Sequence, residues 1–334
     1  MLDLKPSQVQ ACLAAMAGRR IAVFGDFMLD RYLWGEVSRI SPEAPVPIVD
    51  ISGETEQLGG AANVANNLAS LGAIPHPIGV VGDDSAGSRL LNLMQEAGFP
   101  VAGMLTDGSR PTTLKTRIIA HNQHVVRIDR ESRAPLGESM QDKLFAHLCD
   151  LMPQLDGLVI EDYNKGVIVQ PLLSRLIALA RERNCLITVD PKFNHFFDYR
   201  GVTLFKPNRK ETEEVLGTKL HSEEELRRAG ELLLHRLACR YVLITLGAEG
   251  MALFRGPGDM LRIPTRARKV HDVSGAGDTV IATLTLALAA GADVLEAATL
   301  ANYAAGVVVA EVGAVPIDKK KLLATIAEHL QWED

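Results

Sequence analysis

The chain has 334 residues, 47% hydrophobic and 23% charged, an ordinary globular mix that excludes disorder, collagen-like repeats and low complexity. Its 35 Lys and Arg against 41 Asp and Glu leave a net charge of −6 at pH 7, which argues against nucleic acid or an anionic membrane as partner. Four widely spaced cysteines without a C-x-x-C exclude a zinc ribbon and a disulfide framework, and lead us to expect reduced, mostly buried thiols.

Along the chain, Val9 to Ala17 is apolar, and Ser7 with Gln10 predicts a capping box opening a short helix. Arg20–Phe24 predicts a buried strand, with Gly25-Asp26 and Asp30-Arg31 at its end. Ligands of open α/β sheets bind at the carboxyl ends of strands, so these acids suit hydroxyl groups; an Asx-turn leaving the strand explains them equally. Tyr32 to Ser52 holds three prolines and strand-like residues without a helical period. Gly59-Gly60-Ala61-Ala62-Asn63 then opens a predicted helix, Ala62 to Ser70, with Asn63 able to donate to and accept from a sugar hydroxyl. Its bland alternative is a loop with a helix cap.

Thr112 to Asp129 reads as two strands around a turn at His121-Asn122-Gln123, with Lys115, Arg117 and Ile119 on one face. Residues 110 to 133 hold six Lys and Arg against two acids, which suggests an anionic ligand or simply a solvated sheet face. Further strands are predicted at Leu158–Ile160, Leu186–Val189, Val202–Phe205 and Tyr241–Thr245, with helices at Pro171–Arg183 and Ser222–Leu237 between them. That alternation implies βαβ units, a mainly parallel sheet and one α/β domain over residues 1–334. Helices Gly277–Ala290, Asp293–Ala310 and Asp318–Leu330 close the chain. The longest near-apolar run, Val280 to Ala292, has 13 residues and is too short to span a bilayer, so a soluble, cytoplasmic protein without membrane insertion is expected.

The strongest chemical signal is Asp272-Val-Ser-Gly275-Ala276-Gly277-Asp278, running into a helix. Small residues let the backbone approach a ligand, and N–H groups at a helix N-terminus favour an anion. They can stabilise the charge of a phosphoryl group in transit, while Asp278 accepts the proton of an attacking hydroxyl. A glycine turn capped by an acid is the alternative. Val280 at the third glycine position, and the lack of a G-x-x-x-x-G-K-[ST] sequence, exclude a dinucleotide fingerprint and a P-loop.

Gly59-Gly60-x-x-Asn63 early and Asp-x-x-Gly-Ala-Gly-Asp278 late together resemble the ribokinase-like (PfkB) family of sugar kinases. Thr283 departs from the family pattern, which has Gly or Ala there. The stretches Gly25-Asp26-Phe-Met-Leu-Asp30-Arg31-Tyr32, Ser38-Arg39-Ile-Ser-Pro-Glu and Asp162-Tyr-Asn-Lys165-Gly are similar to the heptose 7-phosphate kinases of that family. The resemblance implies a central sheet with flanking helices and a β-sheet lid, about residues 32–55 and 110–131. It implies Asp278 as base, an anion hole at Gly275 to Gly277, and sugar contacts from Asp26, Asp30, Arg31, Gly59, Gly60 and Asn63. For a substrate phosphate it offers Arg39, Lys115, Arg117 and Lys165 collectively.

For ATP and Mg²⁺ the resemblance implies Asn208 and Glu211, whose bland alternative is a helix cap, plus Thr245, Gly247 and Gly250 as a nucleotide loop. Asn302 and Ala305 would line an adenine pocket, and Asp272 would sit beside a K⁺ ion. A homodimer through the lid is a further implication. The adenylyltransferase signature H-x-G-H is lacking, so a kinase alone, or the kinase half of a longer protein, is expected. Another sugar or nucleoside kinase of the same fold and a catalytically silent sugar- or nucleotide-binding regulator are the rival readings.

Overall fold

Short β-branched runs become strands here because both of their faces are covered by helices. The computed structural model describes residues 5–330 other than 122 and 268. Its first half runs α1 (Pro6–Ala15), β1 (Arg20–Gly25), β2 (Phe27–Ile40), β3 (Pro47–Gly60), α2 (Ala61–Ser70), β4 (Ile74–Val81), α3 (Ser85–Glu96), β5 (Met104–Thr106), β6 (Thr113–Ala120), β7 (Gln123–Arg130) and α4 (Glu138–Leu151). There follow β8 (Gly157–Glu161), α5 (Gln170–Glu182), β9 (Leu186–Asp190), β10 (Leu204–Phe205), α6 (Arg209–Leu216), α7 (Glu223–Leu237), β11 (Tyr241–Thr245), β12 (Met251–Gly256), β13 (Asp259–Ile263), α8 (Ala276–Ala289), α9 (Val294–Val308) and α10 (Lys319–Leu330).

Nine strands form the main sheet in the order β13-β12-β11-β10-β9-β8-β1-β4-β5. It is parallel from β11 to β5, and β12 and β13 add an antiparallel edge. Alternation along β1 divides the core: Ile21 and Val23 pack with Leu13, Leu68, Leu284 and Leu300, whereas Ala22 and Phe24 pack with Leu144, Leu176 and Leu233. Helices α1, α2 and α8–α10 thus cover one face, and α4, α5 and α7 the other. The apolar run from Val280 is part of α8 and is buried against the sheet. Among the described residues no helix is long and apolar enough to cross a membrane.

Three expectations change. Helix α1 starts earlier than the Ser7–Gln10 box allowed, since Pro6 at its first turn presets the backbone, and Gln8 accepts from the Lys5 N–H at 3.1 Å. The Val202–Phe205 strand shrinks to Leu204–Phe205, because the Thr203 hydroxyl takes the Ile187 N–H at 3.1 Å. All four cysteines are free, but only Cys239 is buried; Cys12 in α1, Cys149 in α4 and Cys185 just before β9 are partly buried.

The irregular segments form a second sheet, β3-β2-β6-β7. The prolines gather near the tip of the β2–β3 hairpin, where missing N–H donors do least harm. Strand β2 begins at Phe27, directly after Asp26, so this sheet reaches further inward than residues 32–55 suggested. Parallel pairing of β2 with β6 sets Asp30 beside Lys115 and Tyr32 beside Arg117, all four on one face. His121 of the β6–β7 turn has φ 51°; Asn122 lies outside the described residues.

The junction of the two sheets tolerates no side chain at Gly25, where a Cβ would lie 2.0 Å from the Glu161 carbonyl oxygen. Gly25→Ala must therefore open the β1–β8 ladder. We expect it to destabilise the protein by about 3 kcal/mol, as for a strongly overpacked core position. Urea unfolding checks this; an unchanged midpoint would refute the close approach.

Candidate active site

The carboxyl ends of β1, β8, β9 and β10 carry Asp26, Glu161, Asp190 and Lys206, and the N-terminus of α8 faces them. Gly275 caps that helix at φ 76°, where a Cβ would lie 2.7 Å from Asn63 Nδ2. The first turn, Ala276-Gly277-Asp278, opens on a cleft of about 600 Å³ lined also by Tyr163, Lys192 and Asn208. Its N–H groups and macrodipole suit an anion.

Asp278 is 3% exposed. Asn63 Nδ2 donates to its Oδ2 at 2.8 Å, and the Tyr163 hydroxyl donates to its Oδ1 at 2.7 Å. Burial pushes this carboxyl up to about 6, against the pull of those two hydrogen bonds. Asn63 reaches it from the first turn of α2, which Gly60 enters at φ 56°. One N–H of its amide is thus taken by Asp278. Thr283, one turn beyond, is fully buried and its hydroxyl has no hydrogen-bond partner.

Behind Asp278 lies a buried charge network. Oxygens of Glu161, Asp190 and Asp278 lie within 4.8 Å of one another. Lys206 Nζ pairs with Asp190 at 2.7 Å, and Lys192 pairs with Glu211. Burial, then the charges of Asp190 and Asp278, push the Glu161 carboxyl well up, and its Oε2 is buried without a hydrogen-bond partner. Burial works against the Lys206 ammonium, but Asp190 holds it charged. An orphaned oxygen among three crowded carboxylates fits a hard divalent cation.

Asn208 and Glu211 form the helix cap that was their alternative: Asn208 Oδ1 accepts the Glu211 N–H, and Glu211 Oε2 accepts the Asn208 N–H, both at 2.8 Å. Asn208 lines the cleft and Glu211 is buried behind it on Lys192; neither is part of the carboxylate cluster.

On the other flank, Asp26 differs from the sugar ligand expected of it. It is 1% exposed, and its oxygens accept N–H groups of Tyr163, Lys165 and Val167 at 2.8, 3.1 and 3.4 Å. It anchors the 162–167 loop instead. Asp30 is buried and pairs with Arg117 Nη1 at 2.7 Å; a Cβ on Gly59 would approach its Oδ2 to 2.6 Å. Arg117 also lies over the Tyr32 ring, 5.1 Å from its centroid.

Lys115 and Lys165 converge on Glu131, at 3.6 and 2.7 Å. With Arg127, Arg133 and Asp129 they make four cations against two carboxylates, an excess of two positive charges. Arg31 and Arg39 do not join them. Alternation puts Arg31 on the opposite face from Asp30, tied to Glu54 and Glu56. Arg39 stands near the far end of β2, roughly 40 Å along the strand from its start.

The other side of α8 borders an apolar cavity of about 280 Å³ lined by Thr245, Gly247, Gly250, Val280, Asn302 and Ala305. It shares Thr245, Gly247 and Gly277 with the polar cleft, so a flat apolar group and a charged tail fit the two in series. The Asn302 amide donates to the Pro264 carbonyl at 2.7 Å and braces the facing loop. Asp272 accepts the N–H groups of Ser274 and Gly313 at 2.9 and 3.0 Å, tying two loops together.

Sequence reasoning gave no role to Glu161, Tyr163, Asp190, Lys192 and Lys206. One signal was available: Val-Ile-Glu161 and Thr-Val-Asp190 both end an apolar strand with an acid, at the edge where ligands bind.

The raised Asp278 carboxyl has a consequence for stability. A folded pKa of about 6 against an unfolded value near 3.8 means the folded state binds more protons between these limits, so wild type loses stability as pH rises through that window. Asp278→Asn lacks this titration. Relative to the variant, wild type should lose about 2 kcal/mol between pH 4 and pH 6. Thermal unfolding of both proteins across pH 4–8 measures it; parallel profiles would refute the shift.

The pfkB family carbohydrate kinase pattern matches residues 19–320. The bifunctional protein HldE of Geobacter metallireducens is 44% identical over 323 residues, covering 97% of this chain and 66% of that protein. HldE of Helicobacter pylori strain P12 is 44% identical over 295 residues, covering 88% and 64%. The chain thus spans about two thirds of the length of these relatives. Among solved structures, phosphofructokinase-2 from Escherichia coli in complex with fructose-6-phosphate aligns with TM-score 0.76 at 20% identity, covering 95% of this chain and all of that one. Arabidopsis thaliana ribokinase complexed with ribose and ATP aligns with TM-score 0.72 at 18% identity, covering 93% and 99%. These two show the ribokinase-like fold. With the family pattern covering most of its length, this chain belongs to the pfkB family of carbohydrate kinases.

Proposed function

We propose that the chain transfers the γ-phosphoryl group of ATP to the anomeric 1-hydroxyl of D-glycero-β-D-manno-heptose 7-phosphate. The product would be the 1,7-bisphosphate, used for ADP-heptose and the lipopolysaccharide core, and the reaction would run in the cytoplasm. The observation carrying the reading is Asp278, a buried carboxylate at a helix N-terminus, lining a polar cleft with Lys192 and Lys206 that adjoins a nucleotide-sized apolar cavity.

The adenine ring would enter the apolar cavity between Gly250 and Ala305, and the phosphates would extend over Gly277 toward Lys206 and Lys192. Asp278 Oδ1 would receive the proton of the sugar hydroxyl as that oxygen attacks the γ-phosphorus. The N–H groups of Gly275 to Gly277 and the Lys206 ammonium would stabilise the charge on the transferring group. Mg²⁺, held from Glu161 and Asp190 and through water from Asn208 and Glu211, supplies neutralising charge to the phosphates when bound. A K⁺ ion beside Asp272 is part of the same reading; phosphofructokinase-2 from Escherichia coli has been solved in complex with potassium.

Lys115 and Lys165 would bind the 7-phosphate. A phosphate monoester carries between −1.5 and −2 charges near neutral pH, which matches the local excess of two. The second sheet would act as a lid over the sugar. It exposes Ile40, Val46, Ile51, Val126 and Ile128, and a second copy of this chain would cover them. We expect Ile128→Glu to shift the protein toward monomer in sedimentation; a wild type that is already monomeric would refute the dimer.

Mg-ATP assayed with a panel of free and phosphorylated sugars tests the function. Heptose 7-phosphate should be the preferred acceptor, and no preference over ribose or fructose 6-phosphate would refute the specific substrate. Asp278→Asn should lower kcat by about 10³-fold, as for loss of a general base. Replacing Lys115 and Lys165 by Ala should raise KM for the sugar phosphate at least about 10-fold while KM for ATP holds, the loss anticipated for charge-assisted contacts.

A further inference from the structure

In the Asp162-Tyr163-Asn164-Lys165-Gly166 segment, the Tyr163 hydroxyl touches Asp278 yet has no part in the transfer step above. We propose that Tyr163 is a positioning residue whose hydroxyl occupies, on Oδ1 of Asp278, the place later taken by the acceptor sugar's hydroxyl. It thereby keeps water off the base until a sugar arrives. The inference rests on the reading of Asp278 as base and extends it to how the site separates transfer from hydrolysis.

The geometry carries the inference. Tyr163 Oη lies 2.7 Å from Asp278 Oδ1, while Asn63 Nδ2 lies 2.8 Å from Oδ2, so each carboxylate oxygen already has a strong donor. An O–H donating to Oδ1 is the same chemistry as a sugar hydroxyl about to lose its proton there. Packing alone does not call for that oxygen, since phenylalanine would fill the same volume.

The ring is also fixed independently of Asp278. Asp26 Oδ2 accepts the Tyr163 and Lys165 N–H groups, and Asp162 Oδ1 accepts the Asn164 N–H at 2.7 Å with Asn164 at φ 55°. Asp162 Oδ2 accepts the Tyr199 hydroxyl at 2.7 Å, which fixes the start of the segment. Lys192 Nζ sits 5.3 Å from the centroid of the Tyr163 ring and pairs with Glu211. The loop is therefore rigid and presents its hydroxyl to the cleft that Asp278 also lines. With the hydroxyl in place, a water molecule must compete with it for Oδ1. Without it, water can bind there, attack the γ-phosphorus and pass its proton to Oδ1 as the bond to the ADP oxygen breaks. The products are then inorganic phosphate and ADP.

Tyr163→Phe in the full chain tests the proposal. ADP release is measured in Mg-ATP alone and with heptose 7-phosphate, alongside the sugar bisphosphate formed. The ratio of sugar-free ADP release to phosphoryl transfer should rise at least about 10-fold, with KM for ATP unchanged. An unchanged ratio, even with a lower kcat, would mean a merely structural tyrosine and overturn the proposal. If the variant fails to fold, wild type with the 1-deoxy analogue of the sugar phosphate decides. That analogue lacks the hydroxyl that displaces Tyr163, so it should not stimulate ATP hydrolysis, and stimulation would overturn the proposal. Transfer surviving in Asp278→Asn would overturn the base assignment, whereas a dead Asp278→Asn with an unchanged Tyr163→Phe ratio would overturn this inference alone.

Discussion

The active site depends on one buried carboxylate that touches no phosphoryl group. Asp26 ends β1, and its side chain accepts three N–H groups from the 163–167 loop. Its own N–H donates to the Glu161 carbonyl at 3.1 Å, and its carbonyl accepts the Ala61 N–H at 3.1 Å. One residue thus joins the main sheet, the loop bearing Tyr163, the start of β2 and the helix bearing Asn63. Burial and the nearby Asp162 push its carboxyl up to about 6, and the three N–H donors pull it back. The Tyr163, Lys165 and Val167 N–H groups share this one acceptor, so the loop cannot leave without breaking three hydrogen bonds at once and leaving a buried carboxylate unpaired.

Around this anchor the protein concentrates charge that most interiors avoid. Glu161, Asp190, Glu211 and Asp278 face Lys192 and Lys206 within one cleft wall. Such pairs lose hydration that their attraction only partly repays, so they contribute little to stability. They contribute fields instead, because low polarisability lets each charge act strongly on whatever enters. A dianionic phosphoryl group meeting lysines and a helix N-terminus is the ligand this arrangement suits. The instability stored in Asp278 belongs with that role, as polar sites commonly trade stability for chemistry.

The fold and the site were legible to different degrees. Strand ends at Phe24, Ile160 and Val189 were readable from apolar runs, and the glycine–acid motif at 275–278 from its composition. Tyr32 to Ser52 read only as strand-like residues without strand bounds, since three prolines near one hairpin tip obscured the alternation on either side. With β2 recognised, period-2 counting would have put Asp30 and Arg31 on opposite faces and removed Arg31 from the site. Asp26 and Asn63 stood out in the sequence as polar residues beside glycines at element ends, with sugar hydroxyls expected as their partners. Their nearest polar neighbours proved to be backbone N–H groups and Asp278.

By itself the sequence determined the parallel α/β architecture, the local basic excess at 110–133 and the motif at the N-terminus of α8. Each of these depends on periodicity or composition within a few turns of chain. Tertiary structure alone decided the pairings: Asn63 with Asp278 across 215 positions, Tyr163 with Asp278 across 115, and Lys165 with Glu131. Periodicity says which face of an element is buried but not which other element covers it. That choice is made when whole strands and helices compete for one core, and only then do the ends of β1, β8, β9 and β10 share an edge with α8.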